Sequence, residues 1–252
     1  MNRIFYALMV VATLASCAQS YNIQGSTSVS SLDGSKLYLK AVQEQELQNL
    51  DSCDVIHGKF KFSGTLDSVS FVSLFMGDES IMPLVLEEGE IEVRIDGASQ
   101  KVSGTPLNDE LYQFIDLHNQ LDNQLSDLSH RQSQMMLDGI DENIINEQLS
   151  REAALIAHRE DSLVTHFIID NFDNVLGPGV FMIMTSGMPY PMLTPQVEEI
   201  MSKATDTFKN NAYVRAFYRT ATDIQKEQQG LTDPEPVGEP ADSTIQNILN
   251  GK

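Results

Sequence analysis

The sequence has no tryptophan and few basic residues: 16 lysines and arginines stand against 36 aspartates and glutamates, giving a formal net charge of −20. A surface of this charge repels phosphate backbones, so nucleic-acid binding is disfavoured. It also repels anionic lipid, so no basic patch is expected to hold the chain on a membrane. The composition thus excludes two large classes of electrostatic partner.

Cysteine is equally scarce, with Cys17 and Cys53 alone and no C-x-x-C pair. If Cys17 carries a lipid, Cys53 is the single free thiol, and dithiol chemistry within one chain is excluded. Asp51 and Asp54 flank Cys53, and neighbouring negative charge raises a thiol pKa. We expect a structural thiol. The sequence also lacks H-E-x-x-H, G-x-S-x-G and phosphate-loop motifs, so a free-standing enzyme is not expected.

No apolar run is long enough to span a bilayer; the N-terminal run, residues 4–14, is about half the required length. It follows Arg3 and precedes two small residues, which is the order of a secretory signal over residues 1–16. Leu14-Ala15-Ser16-Cys17 resembles the lipobox of bacterial lipoproteins, which implies a lipid on Cys17. The alternative is an ordinary secreted protein with a chance cysteine.

The residues after Cys17 bear on which side of the membrane the protein faces. Some Bacteroidota lipoproteins carry a surface-export signal in which an acidic cluster follows the cysteine. Residues 18–21 contain no such cluster. We therefore expect a cell-envelope lipoprotein of the outer membrane that faces the periplasm. Two or more acyl chains would tether it stably.

Residues 17–105 have the pattern of a β-sandwich domain. About seven short strands are separated by turn residues, which is typical of an antiparallel sandwich or barrel-like sheet. Residues 90–95 alternate apolar and charged side chains, and residues 59–62 do the same with Phe60 and Phe62 inward.

The pattern becomes helical over residues 106–230, so the expected class is α+β. A heptad-like stripe occupies the first helix, with Asn108 as its expected cap. Asp138-Gly139 breaks the run, and a second helix over about residues 141–172 completes a hairpin. The stripe consists of Leu107, Leu111, Phe114, His118, Leu121, Leu125 and Leu128.

Gly177-Pro178-Gly179 is expected to end the hairpin, and residues 180–186 form a buried segment that is either strand or helix. Thr194-Pro195 starts a further helix that runs to about Gln229, with a break near Asn210-Asn211. The last residues, 231–252, are acidic and rich in proline, which is typical of a disordered tail.

Four segments of the strand region resemble one family when taken in order. They are Asp51-Ser52, residues 58–64 (GKFKFSG), residues 86–93 (LEEGEIEV) and residues 103–108 (SGTPLN). Together they resemble the domain of unknown function that precedes the thioredoxin module in Bacteroidota envelope thiol–disulfide oxidoreductase lipoproteins.

This resemblance implies strands, then a long helical segment, then a Val-Gly-x-x-Ala step that opens the thioredoxin domain. Residues 237–241 (VGEPA) match that step, but eleven residues follow Ala241 and no C-x-x-C is present. We expect the thioredoxin domain to be missing, so the redox activity is not transferred. The resemblance implies an envelope location, an architecture and a class of partner.

Two sets of side chains are candidate binding groups. Soft thioethers suit Cu(I), although methionine also fills irregular gaps in a core. On the second helix, four polar residues share one face, which suits either a metal or hydrolase site or, as we expect, a solvated surface. The thioether candidates are Met182, Met184, Met188 and Met192; the polar candidates are His158, Asp161, Ser162 and His166.

The sequence therefore favours a lipid-anchored, non-catalytic binding or assembly module without a cofactor. A docking subunit for a separate thioredoxin-like oxidoreductase is the first alternative, and a Cu(I) binder is the second. Self-association through the stripe from Leu107 to Leu128 also remains open.

Overall fold

The computed structural model describes residues 19–43, 46–97 and 99–229. The signal, Cys17 and the acidic tail at 231–252 lie outside the described residues. The described strands are β1 (Gln19–Thr27), β2 (Lys36–Gln43), β3 (Glu46–Asp54), β4 (Lys59–Leu66), β5 (Ser70–Met76), β6 (Glu79–Leu86), β7 (Gly89–Ile95) and β8 (Gln100–Ser103). The described helices are α1 (Pro106–Leu137), α2 (Glu142–Asp170), α3 (Leu176–Ser186), α4 (Pro195–Lys203), α5 (Asp206–Asn210) and α6 (Ala212–Gln228).

The strands form two four-stranded sheets, ordered β4-β1-β7-β8 and β3-β2-β5-β6. Every pairing is antiparallel except that of β1 with β7, which is parallel and sets Ile23 opposite Ile91. Residues 28–88 separate these two strands and include the whole second sheet. The pair is therefore not a hairpin, and its strands need not run in opposite directions.

The strand alternation predicted from the sequence is confirmed. In β7, Ile91, Val93 and Ile95 are buried while the charged residues between them are exposed. Phe60 and Phe62 of β4 are buried in the same way. The expected α+β class, with strands first and helices after, is also confirmed.

The predicted helical hairpin is present as α1 and α2. Gly139, which lies between them, has a left-handed backbone conformation with φ at 74°, and this interrupts the helix. The Asp141 side chain accepts a hydrogen bond from the Asn143 N–H and so caps α2. The prediction that Asn108 caps α1 was wrong: Thr105 holds the N-cap position, and Asn108 is fully buried inside the first turn.

The hairpin ends before Gly177-Pro178-Gly179, as predicted. Helix α2 ends at Asp170, close to the predicted end near Phe172, and the three residues lie in the first turn of α3, which begins at Leu176. Proline is tolerated there because first-turn N–H groups have no partner within a helix. Gly177 is required because a Cβ at this position would lie 2.4 Å from the Asn171 carbonyl oxygen.

The last helical segment is divided twice, not once. Thr194 caps α4 as expected. A break before Thr205 starts α5, and a second at Asn211 starts α6, where the Asn211 side chain accepts from two backbone N–H groups. The second break is the one predicted from Asn210-Asn211.

One hydrophobic core joins both sheets to the base of the hairpin and to helices α3–α6. Aromatic rings hold its helical side together, with Phe181 in edge-to-face contact with Phe208 and Phe217 at 5.5 and 5.4 Å. A second, smaller cluster lies between the far halves of α1 and α2. The sandwich and the surrounding helices are therefore one packed body, from which part of the hairpin extends.

Candidate functional site

The hairpin is attached to the sandwich through the Asn108 side chain. Strand β6 is an edge strand, and exposed edges carry unpaired backbone groups. The Asn108 side chain accepts from the Val85 N–H at 2.9 Å and donates to the Val85 carbonyl at 2.8 Å. Tyr112, one turn further along α1, donates its hydroxyl to the Pro83 carbonyl at 3.0 Å. The start of α1 thus covers the β6 edge as a neighbouring strand would.

Glu87 completes this buried polar network. Its carboxylate accepts from the Leu107 and Asn108 N–H groups at 2.9 and 3.1 Å. These are first-turn donors that no helical carbonyl can satisfy, and an acid is favoured beside them. Asn108 also donates to the Thr105 hydroxyl at 2.9 Å. The direction in which α1 leaves the sandwich is therefore fixed by paired hydrogen bonds.

A histidine links the two hairpin helices above this base. His118 Nδ1 lies 3.3 Å from Asp122, and Nε2 lies 3.1 Å from Glu160 on α2. The carboxylates contact opposite ring nitrogens, but with one ligand atom taken from each residue the three atoms lie within 4.8 Å of one another, so His118, Asp122 and Glu160 could also hold a metal ion. A protonated imidazole donates to both carboxylates at once, whereas the neutral ring has one N–H. The cluster therefore links α1 to α2, one turn further from the base than a stacked Phe114–Phe167 pair whose ring centroids are 4.3 Å apart.

Beyond His118 the hairpin continues as what we call the arm, residues 119–157. Its two helices are held by the small second cluster and by Arg131, whose guanidinium donates to both carboxylate oxygens of Glu152. The buried members of the cluster are Leu128, Ile145, Leu149 and Ile156. The outer part of the predicted heptad stripe, Leu121, Leu125 and Leu128, thus packs against its own hairpin partner, whereas Leu107, Leu111 and Phe114 belong to the main core.

The arm exposes large apolar side chains. Ile144 is 57% exposed and Leu155 is 59% exposed; they are eleven residues apart, which is about three helical turns, so they share the outer face of α2. The end of the hairpin adds Met136, Leu137 and Ile140. Seven acids and two bases occupy the same stretch. The arm surface therefore combines exposed apolar side chains with an excess of acids.

The four candidate methionines do not converge. Met182 and Met184 are two residues apart in α3, and such positions do not face each other on a helix. Met184 and Met188 pack against the main core, whereas Met182 lines a cavity of about 190 Å³ between the sandwich and α3. Met192 follows α3 and is half-buried. Met182, Met184 and Met188 thus have packing contacts, and Cu(I) binding by the four methionines stays a prediction.

The candidate polar face of α2 is a shallow groove lined by His158, Ser162 and His166. His166 Nδ1 lies 2.7 Å from the Ser162 carbonyl, so this nitrogen carries the hydrogen and cannot take a proton from the Ser162 hydroxyl. His158 and His166 are eight residues apart, about 12 Å along the helix. Asp161 contributes its carbonyl to Gln196. These contacts do not assemble a hydrolase or metal centre.

Cys53 lies on β3, half-buried against the main core. Burial, with the charges of Asp51 and Asp54 adding to it, raises the pKa of the thiol to about 11. A thiol with so high a pKa is a poor nucleophile at neutral pH. The direction predicted from the flanking aspartates is confirmed, but burial is the larger cause.

The sequence interpretation missed the buried role of Asn108 and the His118 cluster. His118 appeared in the apolar stripe, where its spacing did signal an inward position. Its partner Glu160 is 42 residues away, and only the hairpin register brings the two together. No local pattern reports such a pairing.

Residues 21–111 match the family model described as Domain of unknown function (DUF4369). The matched region contains both sheets and the buried network around Asn108; the arm and helices α2–α6 lie outside it. No curated protein and no solved structure matches the chain. The N-terminal part of the chain is therefore similar to a domain whose function is not known. Within the described residues, no helix is long and apolar enough to cross a membrane.

Proposed function

We propose that this protein is a lipid-anchored, non-catalytic binding module of the cell envelope, and that the arm supplies its protein-binding surface. The observation that carries this proposal is the exposure of Ile144 and Leu155 on a helix face that no other part of the described chain covers. Exposed apolar side chains that cluster on one surface mark interaction sites more often than isolated ones do. The rest of the molecule serves to hold the arm.

The anchoring part of the proposal rests on the Cys17 motif. Strand β1 begins at Gln19, two residues after Cys17, so a lipid there would hold the sandwich close to the bilayer. We propose the periplasmic face of the outer membrane of a Bacteroidota-type envelope.

The arm's chemistry specifies its partner. Its apolar outer side chains need an apolar counterpart, and its excess of acids favours a basic rim around that counterpart, because complementary charge speeds association and rejects wrong partners. The proposed occupant is therefore a second protein with an apolar patch bordered by lysine or arginine. An arm-to-arm contact with a second copy of this chain is less suitable, since both arms carry the same acidic charge.

Site-specific crosslinking in the native envelope tests this proposal. A photoreactive residue at Leu155 should capture one defined protein, whereas the same group at Ile56, 65% exposed on the sandwich, should not. The captured protein is then purified and its affinity measured. Ile144→Ser with Leu155→Ser should weaken binding by tenfold or more, and Ile56→Ser should leave it unchanged.

Two results would contradict the proposal. One is equal binding by the arm variant and the Ile56→Ser control. The other is light scattering that shows a stable dimer lost on Ile144→Ser with Leu155→Ser, because the arm would then serve self-association. The anchor is tested separately by the intact mass of the native protein, which should show an acylated Cys17.

A docking subunit for a separate thioredoxin-like oxidoreductase is the second candidate. It rests on the resemblance of the strand region to the domain that precedes the thioredoxin module in envelope oxidoreductases; the raised pKa of Cys53 makes this thiol a poor nucleophile of its own. The dithiol of such a pair would have to come from the other chain. The crosslinked protein would then contain a C-x-x-C motif; a partner without one contradicts this version and leaves the broader proposal standing.

A further inference from the structure

Basic residues are concentrated at the end of the described chain. Five of the sixteen lysines and arginines lie between Lys203 and Lys226, where only two acids occur. This is the reverse of the chain's overall balance of 16 bases and 36 acids. The local charge is therefore positive on a molecule whose total charge is strongly negative.

Three of these cations line one cavity between α4, α5 and α6. The exposed side chains of Lys209, Arg215 and Arg219 line an open surface pocket of about 370 Å³, with Tyr218 and the buried Met201 forming the rest of its wall. Arg215 and Arg219 are one helical turn apart, so their guanidinium groups lie on the same side of α6. The cavity combines fork-shaped donors with an apolar wall and a phenol.

These cations lack counter-charges. Among the described residues, no carboxylate lies within 4.0 Å of Lys209, Arg215 or Arg219. Nearby Lys203, by contrast, contacts Glu199 at 2.8 Å. Like charges at this spacing on a helix repel each other. An anion in the cavity would relieve that repulsion, and arginine forks are shaped for the paired oxygens of a carboxylate or phosphate.

We propose that this cavity is an anion-binding site for a small ligand that carries a carboxylate or phosphate group beside an apolar portion. Arg215 and Arg219 bind the paired oxygens, Lys209 adds a point charge, and Met201 and Tyr218 contact the apolar portion. This basic site is separate from the acidic arm, and this proposal does not depend on the proposed function.

Calorimetric titration of the full chain in detergent tests it, with phosphate, pyrophosphate and citrate as probes. About 0.1 M salt is suitable, since it screens charges beyond roughly 10 Å and so weakens repulsion by the distant acids. We expect saturable binding of one anion per chain. A preference for pyrophosphate assigns a phosphoryl ligand, and a preference for citrate assigns a carboxylate ligand.

The double variant Arg215→Gln with Arg219→Gln should weaken the binding by about tenfold or more. Arg94→Gln, at an exposed arginine of β7, removes charge elsewhere and should have no effect. Arg215→Lys with Arg219→Lys keeps the charge and should bind at intermediate strength, which separates a binding defect from misfolding. No saturable binding of any probe, or equal losses in the Arg94→Gln control, overturns the proposal.

Discussion

The packed body and the arm both have hydrophobic cores, but these cores differ greatly in size. In the body, strands and helices contribute to one continuous core with several layers of aromatic and aliphatic residues. In the arm, the second cluster has only four buried residues on two helices, with four partly buried ones packed against them. Two helices alone bury little surface, so their stability depends on very few contacts.

This difference separates two tasks. The body keeps its shape through redundant packing, and it can therefore carry an element whose own stability is small. Elements that bind partners are commonly drawn from the low-stability part of a structure. Four predictions follow from this contrast. Each concerns a substitution in the body, in the arm or at the joint between them, and each names the change in stability or in hydrogen exchange that we expect.

Removal of Phe181 should have the largest effect. Its ring is fully buried and contacts three other aromatic rings. Phe181→Ala should lower the free energy of unfolding of the body by about 4 kcal/mol, measured by denaturant titration. Ile183→Ala, on the exposed side of the same helix, should change it by no more than about 0.5 kcal/mol. Similar losses in both variants would contradict the assigned core.

Removal of Asn108 should come next, because it breaks the joint between the two regions. Asn108→Ala leaves the Val85 N–H and carbonyl without their partners, which should cost about 3 kcal/mol. Denaturant unfolding gives the value, and Asn119→Ala, an exposed asparagine on the same helix, is the matched control. A loss below that of the control would mean that water replaces the side chain at the β6 edge.

A substitution in the arm should act locally. Leu149→Ala removes one of the four buried residues and should destabilise the arm by about 2 kcal/mol. Hydrogen exchange should accelerate over residues 119–157 while the strands keep their protection. Equal acceleration in β7 would show that arm and body unfold as one unit.

Loss of the Arg131–Glu152 pair should have the smallest effect, since exposed ion pairs contribute little. The hydrogen bond from Arg131 holds the pKa of Glu152 below its ordinary value, so its stabilisation is present at neutral pH and lost as the pH falls through that lowered pKa. Glu152→Gln should slightly speed exchange in the arm at pH 7, and the difference from wild type should vanish in acid. Glu147→Gln, which breaks a pair within α2, should have less effect still; a larger effect would contradict the inter-helix role.

The sequence predicts the strands and helices well because their buried side chains recur at a regular spacing along the chain. Alternation in β7 and heptad spacing in α1 each report which side chains face inward. Asn108 was misassigned because asparagine near a helix start usually caps it. Its actual partner, Val85, lies 23 residues earlier on a strand edge, and no spacing rule connects the two.

The sites were harder to predict than the fold. The total charge of −20 does not show that Lys209, Arg215 and Arg219 meet at one pocket. Arg215 and Arg219 are one helical turn apart, which a sequence pattern can show. Lys209 lies on the other side of the break at Asn211, and no spacing rule places it beside them.

The position of β1 between β4 and β7 has a mechanical consequence. A pull on the chain ahead of Gln19 acts along β1, and the strand is hydrogen-bonded on both sides, antiparallel to β4 and parallel to β7. Sheet hydrogen bonds run across the strands, so such a load shears two ladders at once and cannot open them one bond at a time. Forced unfolding is limited by the rate of that rupture, which makes the first strand a firm attachment point for the whole molecule.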